Sequence, residues 1–228
     1  MDTQDVGVEA ATLTERAMQL LTRDILSLTL KPGAKLVVND LAETYQIGAT
    51  PIREALSRLT ARDLVTASGR RGFNVQSMSF ADLQDITRAR LLIESEALCI
   101  SMREGDYDWE AQIVAAMHRL KTYVRRAGPD FTRESDLFEN LHRDFHAALI
   151  GGCGSPRLIS MAADLYAQAY RYRRSSHAAC PSKDELIDAH ERLANVILAR
   201  DTNAALKRLK DHLNLTVTGA FPNETKGH

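Results

Sequence analysis

Cysteine is scarce and scattered. Cys99, Cys153 and Cys180 are the only three in the chain. Their number is odd and no two are spaced as CxxC, which excludes a disulfide framework and suits a reducing compartment. Long apolar runs are missing as well. Nothing approaches the roughly 18 consecutive apolar residues a membrane-spanning helix needs, so no membrane partner is expected. Glycine, at 12, and proline, at 6, are too few for a low-complexity or collagen-like chain. Charge of one sign is not in excess: 29 Lys+Arg face 30 Asp+Glu, a net charge of -1. That balance excludes an acidic disordered tail and a protein that coats nucleic acid or membrane by bulk charge. The opening MDTQDVGVEAATL has neither a basic stretch nor an apolar one, so no secretory signal is expected and the protein is expected in the cytoplasm. What is present is a chain of 228 residues, 44% of them hydrophobic, enough to bury one large core or two small ones.

The chain divides in two. Residues 1–12 are expected as a flexible tail. Residues 13–78 carry three short amphipathic patterns and a hairpin. The first predicted helix runs Leu13–Leu30, with Ala17, Leu20, Leu21, Ile25 and Leu28 on one side, and stops at Lys31-Pro32-Gly33. The second starts after Asn39 as N-cap, turns Leu41 and Ala42 inward and places Tyr45 near its end. A short link leads to Thr50 as cap and Pro51 as first helical residue. The third helix, Pro51–Arg62, buries Ile52, Ala55, Leu56 and Leu59 and shows Arg53, Ser57 and Arg58 on its other face. Two β-prone runs, 64–67 and 73–76, are joined by Ser68-Gly69-Arg70-Arg71-Gly72. This order predicts a winged helix-turn-helix.

Beyond Met78 the strand signals stop. Helical stretches are predicted at 80–102, 109–127, 130–150, 155–176, 182–199 and 202–218, separated by breakers. The fold class is therefore mainly α: a winged helix-turn-helix followed by an antiparallel all-α bundle of six helices over 79–218, with 219–228 as a tail.

Residues 1–78 hold nine basic and nine acidic side chains, yet between Arg53 and Val75 five arginines face Glu54 and Asp63, a local excess of +3. It falls on the third helix and the wing. Arg53, near that helix's N-terminus, suits bidentate contact with a guanine edge in the major groove. Arg70 and Arg71, between flexible glycines, suit phosphates or the minor groove. A merely solvated arginine face is the alternative.

The bundle carries a second constellation. His142 and His146 are four apart on one helical face. His190 lies between Leu186 and Leu193 on an apolar stripe, and His212 follows Leu209 by three. Four imidazoles from three helices thus point at one core, which suits a divalent metal ion, zinc foremost with nickel as an alternative. Separately hydrogen-bonded core histidines are the other reading. Arg90 sits in the apolar stripe of Leu83, Ile86, Ile93, Ala97 and Ile100, and a buried guanidinium must be paired. Glu94, four residues on, and a bound small carboxylate are its two candidate partners. Tyr170 and Arg171 are further candidates for such an effector pocket, against a partly exposed helix face. Asp144 is expected at the surface and Cys153 in a structural role. A metal-dependent hydrolase would need a general base beside the pair, as in HExxH; Arg143 occupies that slot, no nucleophile motif accompanies it, and no enzyme is expected.

The segments KPGAKLVVNDLAE, ATPIREALSRL and DLVTASGRRGFNV resemble the DNA-binding domain of the GntR family of bacterial transcription regulators. With the bundle behind them the chain resembles the FadR subfamily, whose effector domain is called FCD. The segments WEAQIVAAMHRL, FHAALIGGCGSPRL, QAYRYRR and LARDTNAALKRLKDHL are most similar to its carbon-starvation-induced regulator branch. The resemblance implies a homodimeric repressor that binds double-stranded operator DNA through Asn39, Thr50, Arg53 and the wing at Arg70, Arg71 and Gly72. It further implies a divalent ion at His142, His146, His190 and His212, and an effector contact from Arg90. Two departures stand out. Gly48-Ala49 occupies the place where many relatives carry Ser-Arg, and His142 the place of an Asp or Asn. Four neutral ligands leave the ion's charge uncompensated, which favours an anionic effector.

Overall fold

A computed structural model describes residues 12–68, 72–128, 131–132, 135–176 and 182–224. The chain separates into two compact units, Met1–Met78 and Ser79–His228.

In the first unit, helix α1 (Leu13–Leu26) opens on a capping box: the Thr12 hydroxyl accepts from the Glu15 backbone N–H, and the Glu15 carboxylate accepts from that of Thr12. It ends four residues short of the predicted Leu30. Leu28 takes a left-handed φ of +62° and donates its N–H to the Ile25 carbonyl at 3.2 Å, which closes the helix end before Lys31-Pro32-Gly33 is reached. Strand β1 (Lys35–Leu36) follows, a two-residue element that sequence periodicity cannot register. Helix α2 (Val38–Tyr45) starts directly from it, with Val37 as an N-cap that makes no side-chain hydrogen bond. Asn39 is therefore inside the first turn rather than capping it. Helix α3 (Ala49–Thr60) takes Gly48 as N-cap, so Thr50 and Pro51 are its second and third residues, not its cap and first. Proline is tolerated there because the N–H groups of the whole first turn lack intrahelical partners.

Strands β2 (Val65–Ala67) and β3 (Phe73–Val75) form the predicted hairpin. β1 joins it on the far side, giving a three-stranded antiparallel sheet in the order β1-β3-β2, with Leu36 opposite Phe73 and Val65 opposite Val75. The core under the sheet is apolar, built from Ala17, Leu21 and Ile25 of α1 against Ile52, Leu56 and Leu59 of α3.

The second unit holds α4 (Phe80–Glu104), α5 (Tyr107–Arg126), α6 (Asp136–Ile150), α7 (Pro156–Ser175), α8 (Lys183–Leu198) and α9 (Thr202–Ala220). α4 packs against α6, α7 and α9, and α5 against α6 and α8. Side-chain caps from Ser79, Asp106, Ser135, Ser155, Ser182 and Asp201 start the six helices. α6 begins later than its predicted start at Asp130, itself outside the described residues. Ser135 caps it, and the Ser135 hydroxyl also meets the Tyr123 hydroxyl at 2.8 Å. Trp109 lies where two glycines approach its ring: a Cβ on Gly105 or on Gly152 would run into the indole. Its N–H donates to the Ala148 carbonyl at 2.9 Å, and the Arg200 guanidinium stacks 5.0 Å from the ring centre. Among the described residues no helix is long and apolar enough to cross a membrane.

Candidate metal centre and DNA-facing helix

The amphipathic pattern of α3 leaves Arg53, Ser57 and Arg58 exposed opposite the buried Ile52, Ala55 and Leu56. Asn39 and Thr50 are exposed as well. Gly72 adopts φ +103°, a conformation that favours glycine, at the return of the hairpin. Arg70 and Arg71 lie outside the described residues.

In the bundle, α6 aims His142 and His146 inward from one face, α8 brings His190 and α9 His212. Each offers a ring nitrogen, and these four atoms all lie within 4.8 Å of one another. His142, His146 and His190 are buried, and His212 is partly so. The set forms because each histidine occupies an apolar-stripe position beside Phe145, Leu186, Leu193 or Leu213.

Two ring orientations are fixed by neighbours. His190 places Nδ1 2.6 Å from the Leu186 carbonyl. A carbonyl only accepts, so Nδ1 carries the proton and Nε2 keeps its lone pair. His142 places Nδ1 2.6 Å from the Tyr166 hydroxyl. His146 and His212 face each other through Nε2 at 3.1 Å, and Nδ1 of His146 has no hydrogen-bond partner among the described residues. Burial, reinforced by the neighbouring imidazoles and arginines, holds His142 and His146 well below the ordinary histidine pKa. Both are neutral, the form that binds metal. Two nitrogens on one tetrahedral zinc stand about 3.3–3.4 Å apart when each Zn–N bond is about 2.0–2.1 Å, close to the His146–His212 separation.

The cluster forms part of the wall of a cavity of about 660 Å³, lined also by Arg90, Arg173, Glu185 and Thr216. Arg90 is buried and paired with Glu94 at 2.6 Å, so the neighbour four residues on is a partner in fact, while the guanidinium also faces the cavity. Tyr170 and Arg171 do not line it. Tyr170 accepts from Arg174 at 2.9 Å. Arg171 is 2% exposed, and its charge is opposed by burial and supported by Tyr172 and Asp82. Tyr170, Arg171 and Tyr172 are buried, while Arg173 and Arg174, which follow them, are partly exposed. Helical phase gives the reason: residues 171 and 173 project about 200° apart, and it is Arg173 that lines the cavity and lies over the ring of Tyr166, seven residues earlier.

Sequence reasoning passed over Tyr166, Arg173 and Glu139. Glu139 sits three and seven residues before His142 and His146, on the same face, which is the signal that could have found it. It is buried beside Arg173, whose Nη2 lies 3.4 Å from its Oε1. Burial raises its pKa, against the opposing pull of Arg173 and a hydrogen bond from Tyr166. Asp144 is exposed beside Arg143 at 3.7 Å, and Cys153 is buried in the core.

Comparison with known proteins places both units. Residues 13–75 match the bacterial regulatory proteins of the gntR family, and residues 85–215 match the FCD domain. BphR of Paraburkholderia xenovorans (strain LB400), described as an uncharacterized HTH-type transcriptional regulator, is 34% identical over 206 residues, 90% of this chain and 84% of its own. The HTH-type transcriptional repressor GlaR of Escherichia coli (strain K12) is 35% identical over 198 residues, 85% of this chain and 89% of its own. Among solved structures, E. coli McbR/YncC superposes with a TM-score of 0.76 at 22% identity, covering 94% of this chain and all of that one, a likeness of fold.

Proposed function

The chain belongs to the GntR family of bacterial regulatory proteins and is a DNA-binding transcription regulator with an FCD domain, and from that premise we propose that it is a cytoplasmic repressor controlled by a small carboxylate bound at a metal centre in the bundle. Its families and relatives are regulators, not enzymes, and the hydrolase reading finds no support. The observation that carries the proposal is the four-histidine cluster in the wall of a cavity that Arg90 and Arg173 also line.

The donor set fits a divalent ion of the zinc or nickel kind. Four nitrogens converge, two of the imidazoles are held neutral by burial, and His146 retains a buried nitrogen that no group among the described residues satisfies. Such an ion, with four neutral ligands, supplies an uncompensated positive charge toward which an anionic oxygen is drawn. Arg90 and Arg173 hold and orient the carboxylate from the cavity wall; Glu94 and Glu139 keep the two guanidinia fixed. GlaR is described as a repressor, which favours that direction of control here. A homodimer places two recognition helices in successive major grooves about 34–36 Å apart, with Arg53 on bases and Asn39, Thr50 and the wing at Arg70, Arg71 and Gly72 around them. The effector releases DNA only by binding the DNA-incompetent arrangement more tightly.

The test is a thermal-shift screen of dicarboxylates, sugar acids and amino acids on zinc-loaded protein, followed by operator gel shifts with any hit. A stabilising acid that lowers operator affinity is expected. Replacing His146 and His190 together by alanine is expected to remove bound zinc by elemental analysis, and full retention would overturn the metal centre.

A further inference from the structure

The first turn of α4 is held by two other helices of the bundle, and both of them wall the cavity. From α7, the Tyr172 hydroxyl accepts from the Ser79 backbone N–H at 3.0 Å and donates to the Asp82 carboxylate at 2.5 Å. From the end of α9, the Phe221 ring packs edge-on against Phe80, with centroids 5.5 Å apart, and lies tilted against Tyr172 at 6.2 Å. The three rings form a clasp at residues 79–82, where α4 takes over the chain from the unit that ends at Met78. On α9, His212, Thr216 and Gly219 recur at i, i+4 and i+7, one helical face, and all three line the cavity, as does Pro222 beside Phe221. After Leu213, α9 buries Val217 alone among its described residues. An end with so little buried apolar surface is the part of a helix that opens first, and the Phe221 ring is what fastens it.

We propose that Phe221 is a latch: seated against Phe80 and Tyr172, it holds the end of α9 along the cavity and makes the first turn of α4 respond to what the cavity holds. Of the four histidines His212 alone is only partly buried, and it rides on the same helix as the latch, about 13 Å away along the axis. An ion that draws His212 to the three buried imidazoles fixes α9 in the seated arrangement. Release of Phe221 lets the end of α9 swing outward and loosens His212 with it. Binding at the cluster and seating of the ring are thus one equilibrium read at two places, and linkage requires that each strengthen the other. α7 takes part from its own side, because Arg173, next to Tyr172, lines the same cavity. An occupant that moves either helix alters the support of Ser79, which is bonded directly to the last residue of the DNA-binding unit.

This inference rests on the four-histidine reading, and the experiment separates the two. Amide hydrogen exchange is followed with and without Zn²⁺. In the native chain Zn²⁺ is expected to slow exchange in α8 beside His190. It should also slow, by about 5-fold or more, the Asp82 and Leu83 amides, which bond to Ser79, and the Phe221 amide, which bonds to the Val217 carbonyl. Phe221→Ala and Phe80→Ala remove the ring contact from either side. Both rings are only partly buried, so each variant should keep the slow amides of α5. Each is expected to bind Zn²⁺ about 5–150-fold more weakly in chelator competition and to lose the response at Asp82 and Leu83. The double variant should lose little more than either single one, because the same contact is removed twice. Zn²⁺ that slows α8 in the native chain but leaves Asp82 and Leu83 unchanged would overturn the inference. So would a Phe221→Ala protein with full response and affinity, or a double variant whose losses simply add. A native protein that takes up no Zn²⁺ would overturn the metal reading itself, and with it the coupling assigned to the latch.

Discussion

The two units keep their polar side chains in opposite places. Among the described residues, every buried polar or charged side chain (Thr87, Arg90, Glu94, Ser101, Glu139, His142, His146, Arg171 and His190) belongs to the bundle, and none to the DNA-binding unit. There the core is aliphatic and the arginines stand outside. A unit that meets a large, hydrated, charged partner does so with side chains that cost nothing to hold in water. The bundle, with a polar interior, must satisfy it from within, with pairs such as Arg90–Glu94 and Arg173–Glu139. The difference teaches where each half is vulnerable: the first in its contacts, the second in its fold.

The largest effect should come from Glu94→Ala. It strands the Arg90 guanidinium in the bundle and is expected to cost about 3–5 kcal/mol of stability by chemical denaturation. A loss below about 1 kcal/mol would mean that the pair is no more coupled than a surface one. Next comes Arg53→Ala, the same kind of side chain in the other setting. It should leave stability within about 0.5 kcal/mol while costing about 1–3 kcal/mol in operator affinity and relaxing preference at one base position. Equal binding across all operator variants would remove Arg53 from base readout.

The gentlest test is pH. His142 and His146 have their pKa lowered on folding from 6.5, chiefly by burial, so below that value the unfolded chain binds protons that the folded bundle refuses. Metal-free bundle stability should therefore be full above about pH 6.5 and fall as the pH drops further. Residues 1–78 contain no histidine, and their unfolding should show no such step. A bundle melting temperature flat from pH 7 to 5 would contradict burial of neutral imidazoles.

Much of this site was legible because helical spacing is a short-range rule. The four apart of His142 and His146, and the leucines three and four residues from His190, already put these rings on inward faces. Arg90 declared itself by standing in an apolar stripe. What stayed hidden depended on contacts between helices. Nothing local tells that Arg173, rather than Arg171, turns toward α6, or that Tyr166 reaches His142 from α7. Element ends were hidden for a different reason. Leu28 stops α1 through one backbone torsion, and β1 is two residues long, its existence decided by pairing with Phe73 and Asn74.

Trp109 has an optical consequence. It is the only tryptophan in the chain, it is 3% exposed, and it is wedged between the backbones at Gly105 and Gly152 with Arg200 against its ring. Its ultraviolet emission therefore belongs to the bundle alone. Loosening of that wedge shifts the spectrum toward the red as water reaches the indole, while melting of the DNA-binding unit leaves tryptophan emission dark to the event. Fluorescence and far-ultraviolet dichroism, recorded on the same sample, thus separate the unfolding of the two units without any label.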